Sequence, residues 1–194
     1  MEDKTITPQE SLDIIHAMIN NSKNKLADDG FFTIFWGWLV FIAAMTQYIS
    51  ILLNFEYGQF VWFLLPLGAI YTFIYGAKKS KKDKVKTHVE TYLTYLWIGF
   101  GIAMGATLIF MGVNGIKTTY FFLMLLYGLA TFVSGGILKF KPLVIGGIFS
   151  TLVAIASNFA GEKEQLLCIS IALLGSYIIP GHLLRREFKS QQHV

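Results

Sequence analysis

Six apolar runs divide this 194-residue chain, and the Lys and Arg residues between them alternate between abundant and nearly absent. A run of about 20 apolar residues is what an α-helix needs to cross the hydrocarbon core of a bilayer. The runs are 31–53, 60–77, 91–113, 119–138, 143–160 and 165–184. The sequence therefore predicts an all-α fold, an integral membrane six-helix bundle preceded by one cytoplasmic amphipathic helix. Residues 1–30 form a cytoplasmic N-terminal segment, 31–184 the transmembrane domain, and 185–194 a cytoplasmic tail. Only 14% of the residues are charged, against roughly 25% in soluble domains, and the runs account for the shortfall.

The charges fix an orientation. Lys4, Lys23 and Lys25 precede the first run. Lys78, Lys79, Lys81, Lys82, Lys84 and Lys86 lie between the second and third, Lys139 and Lys141 between the fourth and fifth, and Arg185, Arg186 and Lys189 follow the sixth. The alternate connectors hold only Lys117 and Lys163. Basic residues accumulate on the cytoplasmic side of membrane helices, so both termini are expected to be cytoplasmic. Miscounting the helices by one would destroy the alternation. The outward connectors, 54–59, 114–118 and 161–164, are short, which favours three antiparallel hairpins that each start inside. The net charge of +4 is explained by this topology, and nucleic acid is not an expected partner.

Thr7, Pro8 and Glu10 give the N-terminal segment a helix start, with a hydroxyl cap, a proline in the first turn and a capping-box carboxylate. The helix is expected over 8–27. Leu12, Ile15, Met18 and Ile19 fall on one face, and the other faces are too polar for the helix to span a bilayer. Its polar face carries few cations, which argues against lying flat on lipid and for docking on the bundle or on a protein partner. With Lys78, Lys79, Lys81 and Lys82, this stripe forms the candidate cytoplasmic interaction surface. The lysines could also meet anionic lipid headgroups.

No Asp, Glu, Lys, Arg or His lies in the middle of a run. Such residues are costly in a bilayer and mark ion paths, proton relays and catalytic or metal centres. Catalysis, cofactors and metal sites are accordingly not expected. Cys168 is the sole cysteine and sits inside an apolar run, where it has no second thiol for a disulfide. The polar residues Gln47 and Asn158 lie toward the outward ends of the first and fifth runs and are the candidates for a polar cavity.

Small residues spaced four apart let helix backbones approach closely. Gly101 and Gly105 in the third run, and Gly146 and Gly147 with Ser150 and Thr151 in the fifth, are expected to mark helix packing and to make those two helices central. Pro66 is expected to kink the second run.

Glu10-Ser11-Leu12-Asp13-Ile14-Ile15, then Asp28-Asp29-Gly30-Phe31-Phe32 and Phe35-Trp36-Gly37-Trp38-Leu39-Val40-Phe41, resemble a group of small bacterial multi-pass inner-membrane proteins with a cytoplasmic amphipathic helix before the first span. The resemblance covers roughly the first 50 residues. It implies a bacterial inner-membrane setting and brings no activity, cofactor or catalytic residue with it. The function expected from all of this is non-catalytic: a regulatory, sensory or scaffold component, in contact with membrane lipids and with a cytoplasmic protein or a second copy of itself. The competing reading is a small transporter or channel subunit for an uncharged or lipid-like solute. A polar cavity continuous through the bundle would favour transport, and a packed apolar bundle favours interaction.

Overall fold

Long apolar runs leave the backbone no polar partners but its own, and helices satisfy them within a single segment. The computed structural model describes Gln9, Leu12, residues 30–82 and residues 88–192, and among these it is all-helical. The α-helices are α1 (Gly30–Leu52), α2 (Leu64–Lys82), α3 (His88–Asn114), α4 (Ile116–Ile137), α5 (Lys141–Ser157), α6 (Glu162–Leu173) and α7 (Ile179–Gln192). A 3₁₀ segment, Glu56–Phe63, leads into α2, and a π-turn, Leu174–Ile178, joins α6 to α7. Gln9 and Leu12 are helical and exposed. The rest of the expected amphipathic helix, including Ile15, Met18 and Ile19, lies outside the described residues.

Among the described residues five helical stretches are long and apolar enough to cross a membrane: Gly30–Leu52, Glu56–Lys78, Thr91–Val113, Thr118–Ile137 and Glu162–Glu187. The sixth apolar helix, α5, has 17 residues and is shorter than the expected 143–160. It stops because the chain tightens after it. Ser157 turns its hydroxyl back to the Ala154 carbonyl at 2.7 Å, and Asn158, Phe159 and Ala160 each bond to the carbonyl three residues back. Three-residue closure of this kind is how helix ends satisfy their last carbonyls.

Two prolines each stand just after a change of helix type. Pro66 sits in the first turn of α2, directly after the 3₁₀ segment. Its missing N–H falls in the first turn of the α-helix, and the change of helix type occurs just before it. Pro180 lies inside the last apolar run, in the first turn of α7. An interior proline clashes with the carbonyl four residues back, and the four-residue pattern gives way just upstream of it. Ile179 donates to the Leu174 carbonyl, a five-residue step. Local widening of this kind is a recognised response to an obstruction in a helix.

The core is built by α1, α4, α5, α6 and the π-turn. Buried positions on α1 follow a helical stripe: Gly30, Ile34, Gly37, Val40, Ala44. That stripe packs on α6, the π-turn and α7. The closest helix pair is α4 with α5, which are neighbours in sequence but were assigned to different hairpins. Val40, Met124, Tyr127, Leu166, Leu173 and Tyr177 meet in one buried cluster. In contrast α2 and α3 stand at the periphery. Over its most apolar 18 residues the stretch containing α2 is 6% buried and the α3 stretch not at all, while Leu93 near the start of α3 is buried.

Contacts at the termini of the helices define two ends. Gly30 faces Leu184, Phe140 and Leu143 pack with Leu184, and the Tyr75 ring lies 6.0 Å from that of Phe31. The start of α1, the end of α2, the α4–α5 link and the start of α7 thus share one end. Lys78, Lys139, Lys141, Arg185 and Arg186 are exposed there, and we refer to it as the basic end.

Candidate functional site

The lysine run after the second apolar stretch does not begin as a loop. Helix α2 continues through Lys82, so the backbone of Lys78, Lys79, Lys81 and Lys82 is helical. Lysine is a good helix former, and nothing in this run breaks the helix when the apolar residues end. The exposed Lys78 side chain projects from this extension. On the other side of the basic end, the α4–α5 link is tight. Lys139 adopts a left-handed backbone, φ 53°, while Lys139 and Phe140 donate to the Gly136 and Gly135 carbonyls. Burial of Phe140 against Leu143 and Leu184 holds Lys139 and Lys141 close to the turn of α7 that carries Arg185. Over its described part the basic end is therefore built from helix ends, of which the α4–α5 link and the start of α7 are anchored by buried apolar residues.

Gln47 and Asn158 bond to different neighbours. Gln47 is half-buried and accepts a hydrogen bond from Trp62 Nε1, which ties α1 to the 3₁₀ segment. Trp62 is thereby a structural clamp between α1 and the 3₁₀ segment. Asn158 is exposed, and its amide lies 3.3 Å from the Ala154 carbonyl of its own helix.

A fully buried polar residue near Asn158 is one that the apolar pattern does not single out. Gln165 is fully buried on α6. Its Nε2 donates to the Ser157 carbonyl at 3.0 Å, linking α6 to the end of α5, while its Oε1 has no partner. In the apolar pattern it is the first residue of the sixth run, 165–184. In fact α6 starts at Glu162, with Glu162 and Glu164 in its first turn, where carboxylates suit the helix dipole. Gln165 thus lies a full turn inside the helix.

The glycines separate into two groups. A methyl group on Gly147 would stand 2.6 Å from the Gly128 carbonyl oxygen and from Phe132 N, and one on Gly146 would stand 2.8 Å from the Gly175 carbonyl oxygen. Both glycines are packing residues, and they bring α5 against α4 and the π-turn. Ser150 adds a cross-helix hydrogen bond to the Met124 carbonyl at 3.1 Å. Gly101 and Gly105 differ: a methyl group on either meets nothing within 4 Å. The expectation that they pack helices together, and that the third span is central, is not met within the chain. Helix α3 packs chiefly along α4 through side chains such as Phe100, whose ring lies 5.5 Å from Tyr127.

The described residues contain no group of three or more His, Cys, Asp or Glu side chains able to hold a metal ion. Cys168 is a free, half-buried cysteine on α6. No protein-family model, curated protein or solved structure matches the chain.

Proposed function

We propose that the chain is a bacterial inner-membrane protein with both termini in the cytoplasm. In this reading it acts without catalysis, as a regulatory, sensory or scaffold component whose working surface is the basic end. The observation that carries the proposal is the division of the molecule into a packed apolar core and a cationic end surface. The buried cluster through Val40, Met124, Tyr127, Leu173 and Tyr177 fills the middle of the bundle with apolar and aromatic side chains. Most of the buried hydroxyls there bond to backbone carbonyls. A core of this kind favours interaction over a solute path. At the basic end Lys78, Lys139, Lys141, Arg185 and Arg186 stay exposed on ordered helix ends, in the position basic residues take beside a cytoplasmic leaflet. The N-terminal stripe Leu12, Ile15, Met18 and Ile19 adds an apolar docking element on the same side. Its target is the basic end of the bundle, a cytoplasmic protein or a second copy, and anionic lipids accompany it. The bacterial setting rests on the resemblance carried by residues 10–41.

Orientation is tested by labelling single cysteines from outside intact cells. Positions 59, 117 and 163 are expected to react, and positions 82, 141 and 189 to stay protected until the membrane is opened. External reaction at 82 or 141 overturns the orientation. The interaction reading is tested by photocrosslinking from position 15 or 19. A specific adduct, with the bundle, another copy or a second protein, supports it. Crosslinks to lipid alone, together with solute-dependent stabilisation of the purified chain, favour transport instead.

A further inference from the structure

The segment that leads into α2 keeps a helix type that rarely lasts. Glu56–Phe63 is 3₁₀ over eight residues, although the poorer hydrogen bonds of that helix usually limit it to about three or four. Two contacts hold the segment on α1. Gly58 is buried against Ser50, where a methyl group would have no room, and Trp62 donates to Gln47. Three residues per turn place Tyr57, Phe60 and Phe63 in one column, and the contacts of Gly58 and Trp62 turn that column away from α1. In an α-helix the same three residues would spread over about 120°.

The column is exposed and continuous. Tyr57, Phe60 and Phe63 are 64%, 53% and 66% exposed. Their rings stack in order, with centroids 6.1 and 6.0 Å apart and planes inclined by 24° and 17°. Phe55 meets Tyr57 edge-on at 5.7 Å and extends the column at its start.

Polarity along the segment changes in one direction. Glu56, Tyr57 and Gln59 supply polar groups at its start. From Phe60 to Ile70 the sole polar side-chain group is the Trp62 indole N–H, which is spent on Gln47. The exposed face then runs on along α2 through Leu67, Ile70 and Ile74, spaced as one helical face. Helix α2 ends at the basic end, so the polar start of the column lies at the opposite end of the molecule. Protein-binding patches carry a polar rim around an apolar centre. Here the polar groups gather at one end, in the order in which a bilayer passes from water to hydrocarbon.

On the reading of the chain as a membrane protein, on which this inference rests, we propose that the 3₁₀ segment is an interfacial anchor. Its occupant is phospholipid, in the leaflet opposite the basic end. Tyr57 sits at headgroup level, where amphipathic rings collect, and Phe60 and Phe63 enter the acyl chains. The segment stays 3₁₀ because that geometry presents the rings as one column while Gly58 and Trp62 remain fixed on α1. Its backbone hydrogen bonds are made within the segment, as hydrocarbon requires.

The test places single nitroxide labels at positions 57, 60, 63 and 73 of the full chain, in a Cys168→Ala background. The chain is reconstituted in vesicles of phosphatidylethanolamine and phosphatidylglycerol. Phe73, 78% exposed on α2, is the control for insertion. Collisions with oxygen are expected to rise, and collisions with a water-soluble nickel chelate to fall, stepwise from 57 to 63. Positions 63 and 73 should be alike. Nickel access at 60 and 63 with position 73 in lipid overturns the anchor and leaves the membrane reading intact. Nickel access at 73 as well overturns both. Shielding of 60 and 63 from both reagents also overturns the anchor, since it assigns the column to a second copy or another protein.

Discussion

Helix α4 has two neighbours in sequence and packs on both, by different physics. Toward α5 the backbones nearly touch. Gly128, Gly135 and Gly147 have no room for a methyl group, and the nearest atoms are main-chain or hydroxyl atoms of the opposite helix. Toward α3 the contact is made by rings, Phe100 on Tyr127 and Phe110 on Phe122 at 6.1 Å, while Gly101 and Gly105 point away into open space. The same residue type at the same spacing has opposite uses on helices two elements apart. A small residue permits close approach but does not attract a partner. What selects α5 is that its own glycine face meets one on α4, so that both backbones can advance together.

Substitution at Gly147 is the largest expected effect and the sharpest test of this contrast. Gly147→Leu drives a side chain into the backbone of Gly128 and Phe132. The loss is expected at the upper end of the about 1–3 kcal/mol typical of overpacking, or beyond it, because main chain cannot rotate away. Gly101→Leu and Gly105→Leu remove a poor helix former from an open face. Their expected effect on the isolated chain lies between zero and a gain of about 1 kcal/mol. Thermal unfolding in a non-denaturing detergent measures all three. A loss at Gly101 comparable with that at Gly147 would show that α3 is covered by something other than the rest of this chain.

The hydroxyls on the two sides of α4 give the next difference. Ser150 crosses from α5 to the Met124 carbonyl, and Ser150→Ala removes that link, at a cost of about 0.6–2 kcal/mol by the scale of helix-to-helix bonds in membranes. Thr107 on α3 bonds only to Ala103 in its own helix, at 2.8 Å. Thr107→Ala should change stability by less than about 0.5 kcal/mol, as substitutions away from buried features generally do. Equal losses for the two would mean that the α3–α4 contact is as specific as the α4–α5 one.

The helices were legible because apolar runs bounded by charge determine where a helix must lie, and an all-helical architecture follows from that alone. Partners were not legible. Spacing places Gly101, Gly105, Gly146 and Gly147 on helix faces, but nothing in one helix names the helix opposite. The π-turn was hidden because widening a helix by one residue leaves an apolar run looking the same. Its signal was Pro180-Gly181, which lies inside the sixth run, 165–184. Gln165 was missed for a related reason: a polar residue near the edge of a run reads as boundary, although a helix that starts three residues earlier carries it inward.

The smallest effect concerns how the tight side is connected. The α3–α4 link turns at Gly115, φ 82°, where glycine pays no steric penalty. The α4–α5 link turns at Lys139 with φ 53°, a left-handed conformation that costs an ordinary L-residue roughly 1–2 kcal/mol. The chain accepts this strain at the link joining its two closest helices, and it keeps a basic side chain there. Lys139→Gly should relieve part of the strain and raise stability by up to about 1 kcal/mol, the gain being reduced by the greater freedom of glycine in the unfolded chain. The reverse change at the loose side, Gly115→Lys, should cost a similar amount. If Lys139→Gly instead destabilises the chain in vesicles of anionic lipid but not in neutral ones, the lysine is held in its strained turn by the membrane surface. The charge of the basic end, and not the geometry of the link, would then determine which residue stands there.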